Sequence, residues 1–369
     1  MKKNNLFSIK NAGDIKGKTV LLRIDTNVPL CGGKVVDDYR LKRVAPTLEF
    51  LKKAGASTII LGHHGGNDNK QSLFPVAKYL GVKLLPLNIN EKPKLKSGEV
   101  VMLENLRLDP GEMANYKSFA KKLAGFGDVY VNDAFAESHR PVASIVGLPN
   151  FLPSYFGFLF ADEVENLSKA FNAPHPFILI LGGAKFSTKV PLVKKLLKVA
   201  DKIFIGGALS NTFFKNAGYE IGLSRFDEKP LDTETLRKNP KIFLPEDAIV
   251  TDAKGKRAVR SINSILPTDS MMDNGQNFLK EIELALNGSK FVLWNGPLGI
   301  FEKGFTENTE ELARAIVASG AQTIVGGGDT LASIKKCDLM DKFSFVSTGG
   351  GAMLEFLAEG TLAGIKAVK

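Results

Sequence analysis

Only two cysteines and four histidines occur among 369 residues, and these shortages exclude several chemistries. Cys31 and Cys337 stand far apart in the chain, with no metal-ligand spacing, which suits a reducing compartment and no disulfide framework. Apart from the adjacent His63-His64, no histidine pair has zinc-ligand spacing, and nothing resembles a Ser/His/Asp or Cys/His nucleophile. Hydrolase and zinc readings are therefore disfavoured. The longest apolar runs, FILILGG and STIILGHH, fall far short of the ~20 residues that a helix needs to span a bilayer. The opening stretch, MKKNNLFSIKNAGD, is basic but lacks an apolar core and a small-residue cleavage site, so no signal peptide is expected. Low-complexity tracts and short tandem repeats are missing as well. The expectation is a soluble cytoplasmic protein with no membrane segment.

What is present is ordinary globular composition, 44% hydrophobic and 24% charged, which excludes a disordered or collagen-like chain. At ~150 residues per domain the length predicts about two domains. The formal charge is +10, and it is uneven. Residues 1–150 carry 23 Lys and Arg against 14 Asp and Glu, whereas residues 151–369 carry 26 against 25. An anionic partner is expected on the first part, although a lysine-rich solvated surface accounts equally well for charge alone.

Short β-rich runs alternate with amphipathic helical stretches, the pattern of parallel sheets covered by helices. In the first part the strands read KTVLLRID, STIILGHH, EVVMLENLR and DVYVNDAF; in the second, FILILGGAK, KIFIGGAL, KFVLWNGPLG, QTIVGGGDT and FSFVSTGGG. RLKRVAPTLEFLKKAG and TEELARAIVASG read as helices between them. Open α/β sheets bind ligands beyond the carboxyl ends of their strands, so these ends profile the function. The first group ends in polar side chains suited to a small, oxygen-rich anion. The second ends five times in glycine-rich turns that let backbone N–H groups approach phosphates at helix starts. The boundary is expected near residues 150–175, with residues 158–174 forming a helix that joins two lobes able to close on their ligands.

Particular residues sharpen this profile. In LGGAKFSTK, Lys185 and Lys189 stand four apart, which predicts both ammonium groups on one face near a helix start. Lysines there oppose the helix dipole, and bound phosphate would explain them. The spacing is not that of a Walker loop, and no GxGxxG fingerprint follows the first strand. Gly326-Gly327-Gly328-Asp329-Thr330 places a carboxylate beside backbone amides, a fitting Mg²⁺ anchor, although an Asp N-cap gives the same pattern. Thr348-Gly349-Gly350-Gly351 offers small residues at another helix start, suited to transferring phosphoryl oxygens. Arg23, Arg40, Arg107 and Arg140 are expected on or just after strands, where guanidinium forks match carboxylate and phosphate. His63 would donate to the same anion or serve as a structural histidine.

These motifs together resemble the phosphoglycerate kinase family across nearly the whole chain. RIDTNVPL, DDYRLKRVAPTLEFL, MLENLRL, VYVNDAFAESHR, LGGAKFSTK, IGGALSNTF, WNGPLGIFE, GGGDT and STGGGAMLE occur in the family's order. The resemblance implies a monomeric α/β enzyme of two Rossmann-like lobes that moves a phosphoryl group from 1,3-bisphosphoglycerate to ADP, giving 3-phosphoglycerate and ATP with Mg²⁺. It implies a first lobe of residues 1–157 rejoined by a tail at 357–369, and a nucleotide lobe of 175–356. Asp25, Asn27, Arg40, His63, Arg107 and Arg140 match the family's substrate positions. Lys185 matches the lysine that follows the moving phosphoryl group, with Arg40 and Gly350 completing the transfer machinery. Lys189, Gly275, Glu302, Gly327, Gly328, Asp329 and Thr330 match nucleotide positions, Asp329 being the Mg²⁺ ligand.

Two segments depart from the family. Its substrate histidine is usually followed by Leu-Gly-Arg, but here by His64-Gly65-Gly66, so one arginine is missing. His64 or Lys70 would have to fill that space. Its Asp-Ile-Gly-Pro reads Asp273-Asn274-Gly275-Gln276, which bears on the contact at Gly275. The rival readings are a related acyl-phosphate kinase with another substrate, suggested by Gly66, and a basic nucleic-acid-binding protein. The latter lacks interleaved aromatics or a reading motif in the basic part, so no nucleic-acid partner is expected.

Overall fold

The computed structural model describes residues 7–66, 71–229 and 231–368; Lys70 lies outside them. Two compact units result. One runs to Glu165 and takes in Thr361–Lys369, and the other is Asn166–Gly360. The connector expected at 158–174 is an α-helix over Phe158–Ser168 continued by a 3₁₀ turn at Lys169–Asn172, and the first division falls inside that helix.

Besides a short antiparallel hairpin of Leu30–Cys31 with Lys34–Val35, the first unit has the sheet strands β1 (Thr19–Arg23), β2 (Ser57–Leu61), β3 (Lys83–Leu85), β4 (Val100–Leu103), β5 (Val129–Asn132) and β6 (Ser154–Phe156). All six are parallel, in the order β3-β4-β2-β1-β5-β6. Successive strand residues point to opposite faces. Val20 and Leu22 therefore enter one core with Leu41, Val44 and Leu51 of the helix Tyr39–Lys53. Leu21 enters the other, with Phe119 and Leu123 of the helix Lys117–Ala124. Covering both faces explains why the central strands read as unbroken apolar runs. The strand order reverses at β1, so a crevice is expected between the ends of β1 and β5.

The second unit repeats the scheme. Its strands are β7 (Phe177–Leu181), β8 (Lys202–Ile205), β9 (Ile242–Phe243), the antiparallel trio β10 (Asp247–Thr251), β11 (Arg257–Ser261) and β12 (Ser270–Asn274), then β13 (Phe291–Asn295), β14 (Gln322–Gly326) and β15 (Phe345–Val346). Six form a parallel sheet in the order β9-β8-β7-β13-β14-β15, with its reversal between β7 and β13. The five glycine-ending strands of the sequence reading are therefore neighbours in one sheet. The trio pairs as β11-β10-β12 and was not anticipated. It shields a small separate core of Phe214, Ile221, Val250, Ile265 and Met271. Among the described residues no helix is long and apolar enough to cross a membrane.

Candidate active site: two strand-end crevices

The first crevice collects the cations. Just beyond β1, the Asn27 N–H donates to Asp25 Oδ1 at 2.9 Å, and Arg40 Nη1 lies 3.1 Å from Asp25 Oδ2 while donating to the Asn27 carbonyl at 3.0 Å. Arg40 stands in the first turn of the helix Tyr39–Lys53, as the helical reading of RLKRVAPTLEFLKKAG expects, and reaches back to the strand end. Asn27 Oδ1 accepts from the Gly65 N–H at 3.1 Å, which ties the loop after β2 to the loop after β1. Arg107, on the 3₁₀ turn after β4, donates to the Gly65 carbonyl at 2.7 Å.

Arg23 is buried at the end of β1. It donates to Ser144 Oγ at 2.9 Å, to His63 Nδ1 at 2.8 Å and to the Ile24 carbonyl. Glu112 underlies this arrangement, accepting from the Ser144 N–H at 2.9 Å and from its hydroxyl at 2.6 Å. Burial raises the Glu112 carboxyl above its usual range. His63 is pushed far down, first by burial and then by Arg23, Arg107 and Arg140, so its ring is neutral. Arg140 follows β5 and approaches Glu137, whose carboxylate also faces His63 and Arg107. The structure thus brings Asp25, Asn27 and Arg40 together in one knot and His63, Arg107 and Arg140 in another. Glu137 was not singled out in the sequence; its only signal was a carboxylate three residues before Arg140. Gly66 is exposed, and a Cβ there would meet nothing within 4 Å. His64 does not replace the missing arginine, because its Nε2 is taken by the Val28 carbonyl at 2.8 Å.

The second crevice holds a solvent-open cavity of about 710 Å³ at the reversal point of the second sheet. Its walls include Gly183 and Ala184 after β7, Gly207 after β8, Asp273 and Asn274 of β12, and Pro297 to Glu302 after β13. The ends of β7 and β13 touch so closely that a Cβ on Gly182 would strike the Pro297 carbonyl, while Gly296, at φ +102°, faces the Gly182 carbonyl. Only glycine fits there. Asp329 and Glu302 both line the cavity. The Asp329 carboxyl is raised by burial and by Glu302, with Lys189 acting against the shift.

One expectation needs correction here. Lys185 and Lys189 do not share a helix face. A 3₁₀ turn, Phe186–Thr188, separates them and leaves Lys185 exposed. Lys189 is buried, donating to the Gly182 carbonyl and to that of Asn295 at 3.2 Å. Burial pushes its ammonium down to about 7. Gly275 does not line the cavity; it caps the helix Gln276–Leu286, packed so tightly on the Asp247 carboxylate that no side chain fits. Thr330 turns its hydroxyl inward, accepting from the Gly296 N–H at 3.0 Å. Gly327 and Gly328 open the helix Gly328–Lys336, and Gly350 caps the helix Gly351–Glu359 with φ +48°. Two cavity residues went unnoticed in the sequence. Arg225 stands on its wall, and Asp273 has one carboxylate oxygen without a partner and a pKa raised to about 7, chiefly by burial.

One unit thus gathers guanidinium groups beyond its strand ends, and the other opens a cavity among glycine-rich strand ends. The phosphoglycerate kinase family pattern matches residues 9–360. The chain is 40% identical over 393 residues to the phosphoglycerate kinase of Borreliella afzelii, covering 99% of this chain and all of that one. Among solved structures, phosphoglycerate kinase from Coxiella burnetii matches with a TM-score of 0.83 at 36% identity, and that from Pyrococcus horikoshii with 0.86 at 32%. Each match covers 98% of both chains. The chain belongs to the phosphoglycerate kinase family, whose members are kinases that use a carboxyl group as acceptor.

Proposed function

We propose that the chain transfers a phosphoryl group reversibly between 1,3-bisphosphoglycerate and ADP, yielding 3-phosphoglycerate and ATP in glycolysis. The observation that carries this reading is the division of labour between the two strand-end crevices. One gathers Arg40 with Asp25 and Asn27 and, in a second knot, His63, Arg107 and Arg140 about Glu137; the other is a cavity bordered by glycine turns and helix starts. The first suits the phosphoglycerate and the second the nucleotide, with residues to 165 and the segment from 361 as the phosphoglycerate lobe and 166–360 as the nucleotide lobe.

In-line transfer passes through a loose transition state with charge on the equatorial oxygens, so positioning and electrostatics are the main tasks. Arg40 and the exposed Lys185 supply positive charge, and the helix start at Gly350 supplies N–H donors. Direct transfer needs no covalent phosphoenzyme, but it needs a closing motion that brings the two ligands together. Lys189, Gly327 and Gly328 would hold nucleotide phosphates and Glu302 the ribose; Gly275 and the Thr330 hydroxyl would act from behind the wall. The donor set fits Mg²⁺. Asp329 presents a carboxylate to the cavity beside Glu302, and the described residues hold no cluster of three metal-ligating side chains. Magnesium characteristically takes one or two carboxylates and completes its shell with phosphate oxygens and water. Asp329 would hold the ion, which when bound neutralises phosphate charge.

The reading includes a cytoplasmic monomer acting on small molecules. Its test is ATP formation from 1,3-bisphosphoglycerate and ADP with Mg²⁺, followed by a coupled assay. Inactivity of the folded protein under those conditions refutes it.

A further inference from the structure

Glu137 occupies the focus of the basic cluster. Its Oε2 lies 3.4 Å from Arg140 Nε, 3.6 Å from His63 Nε2 and 3.7 Å from Arg107 Nη2. These three groups come from the ends of three different strands, and all three converge on one carboxylate oxygen. The distances exceed the ~2.7–2.9 Å of a fitted charge-assisted hydrogen bond. The carboxylate therefore faces the guanidinium groups without being locked by short donors, and burial, with Asp25, raises its carboxyl above the usual range against the pull of Arg23, Arg140 and Arg107. Glu112 makes the contrast, since both of its oxygens accept hydrogen bonds from Ser144 and it serves the scaffold. Glu137 is only 6% exposed, and burying a carboxylate is costly unless cations compensate it. Asp25 opposes its charge from the same crevice. On the open side, Gly66 contributes no side chain. The crevice thus has one fork fewer than its resemblance implies and one carboxylate at its centre.

We propose that Glu137 is a built-in competitor for the anionic group of the phosphoglycerate: it neutralises the guanidinium groups of Arg107 and Arg140 beside the neutral His63 donor, must move aside when substrate enters, and so sets substrate affinity. This rests on the reading of the first unit as the phosphoglycerate side. Guanidinium groups already facing a carboxylate yield only the difference between two anions when a ligand replaces it. Removing that carboxylate returns the full attraction to the ligand. The effect is confined to anions in the first crevice and leaves nucleotide binding unchanged.

The test compares the unaltered enzyme with Glu137→Gln and Glu137→Thr, measuring KM for 3-phosphoglycerate, KM for ATP, competitive inhibition by sulfate and the melting temperature. Both variants are expected to lower KM for 3-phosphoglycerate by about tenfold, the factor that ~1.4 kcal/mol represents. Sulfate inhibition should tighten in parallel while KM for ATP stays constant. An unchanged or higher 3-phosphoglycerate KM in a folded variant overturns the proposal, because Glu137 would then be holding the arginines in place. Failure of both variants to fold overturns it too, since the carboxylate would be structural. If the unaltered enzyme forms no ATP, the reading of the site fails instead, which the same assay shows separately.

Discussion

The guanidinium of Arg23 donates to Nδ1 of His63 at 2.8 Å, and this contact decides where the imidazole proton sits. Arginine has no acceptor, so Nδ1 must be the accepting nitrogen. With the ring held neutral, chiefly by burial, its proton belongs to Nε2. That nitrogen is buried without a hydrogen-bond partner and lies 3.6 Å from Glu137, so it is a donor waiting in the anion crevice. Nitrogen-15 NMR should show one imidazole in the Nε2–H form that does not titrate between about pH 5 and 9, unlike an ordinary histidine with a midpoint near ~6.5. A titrating His63 would show that Arg23 does not hold it.

Lys185 and Asp329 should separate kinetically. Lys185 is exposed at the turn before Phe186, free to follow a moving group. Lys185→Ala should lower kcat by roughly a hundredfold, as loss of a transition-state donor does, with nucleotide affinity little changed. Asp329→Ala should weaken Mg-nucleotide binding by ~1–3 kcal/mol and leave 3-phosphoglycerate binding intact. Steady-state kinetics and titration calorimetry distinguish the two; equal small effects from Lys185→Ala contradict its role.

Gly66→Arg should restore a guanidinium to the anion crevice. The positive φ of this loop belongs to Gly65, at +86°, and the space around a Cβ at Gly66 is open. A new contact of ~1–3 kcal/mol corresponds to roughly 5- to 150-fold lower KM for 3-phosphoglycerate, with a smaller effect on KM for ATP. An unchanged KM in a stably folded variant would show that another group already fills the role.

Asp273 predicts a pH-dependent stability. Its pKa is raised to about 7 by burial, so the folded state resists its ionisation while the unfolded state does not. The group's contribution is intact below its unfolded value near ~4 and is lost as pH rises through about 7. Asp273→Asn stays neutral and should melt a few degrees higher than the unaltered protein at about pH 8, with the gain shrinking toward about pH 5. A gain independent of pH would mean that charge is not the cause.

Much of this was legible because parallel sheets put function at one end of their strands. The segments after Arg23, Leu103, Leu181 and Gly326 could be read as strand ends without knowing the sheet order. The trio at 247–274 was harder. Arg257–Ser261 alternates exposed and half-buried residues, and its partner strands, DAIVT and SMMDN, carry polar residues at their ends, so no strong apolar run marked them. Lys189 misled because periodicity places a residue on a helix face but cannot say that a lysine turns in toward carbonyls. Glu137 was hidden for a related reason. Its role depends on Arg107 and His63, supplied by distant segments, converging with the nearby Arg140, and local spacing records only the last of these.

The return of Thr361–Lys369 to the first unit has a consequence for biosynthesis. Gly364 donates to the Ser138 carbonyl at 2.8 Å and packs so closely on Ser138 and Ile145 that a side chain would collide. Ser138 lies between Glu137 and Arg140 in the chain, so the stretch carrying these two charges gains its last support from residues translated after all of 166–360. On the ribosome the unit Asn166–Gly360 can complete its own core while the first unit still waits for its final segment. The unit that starts first finishes last.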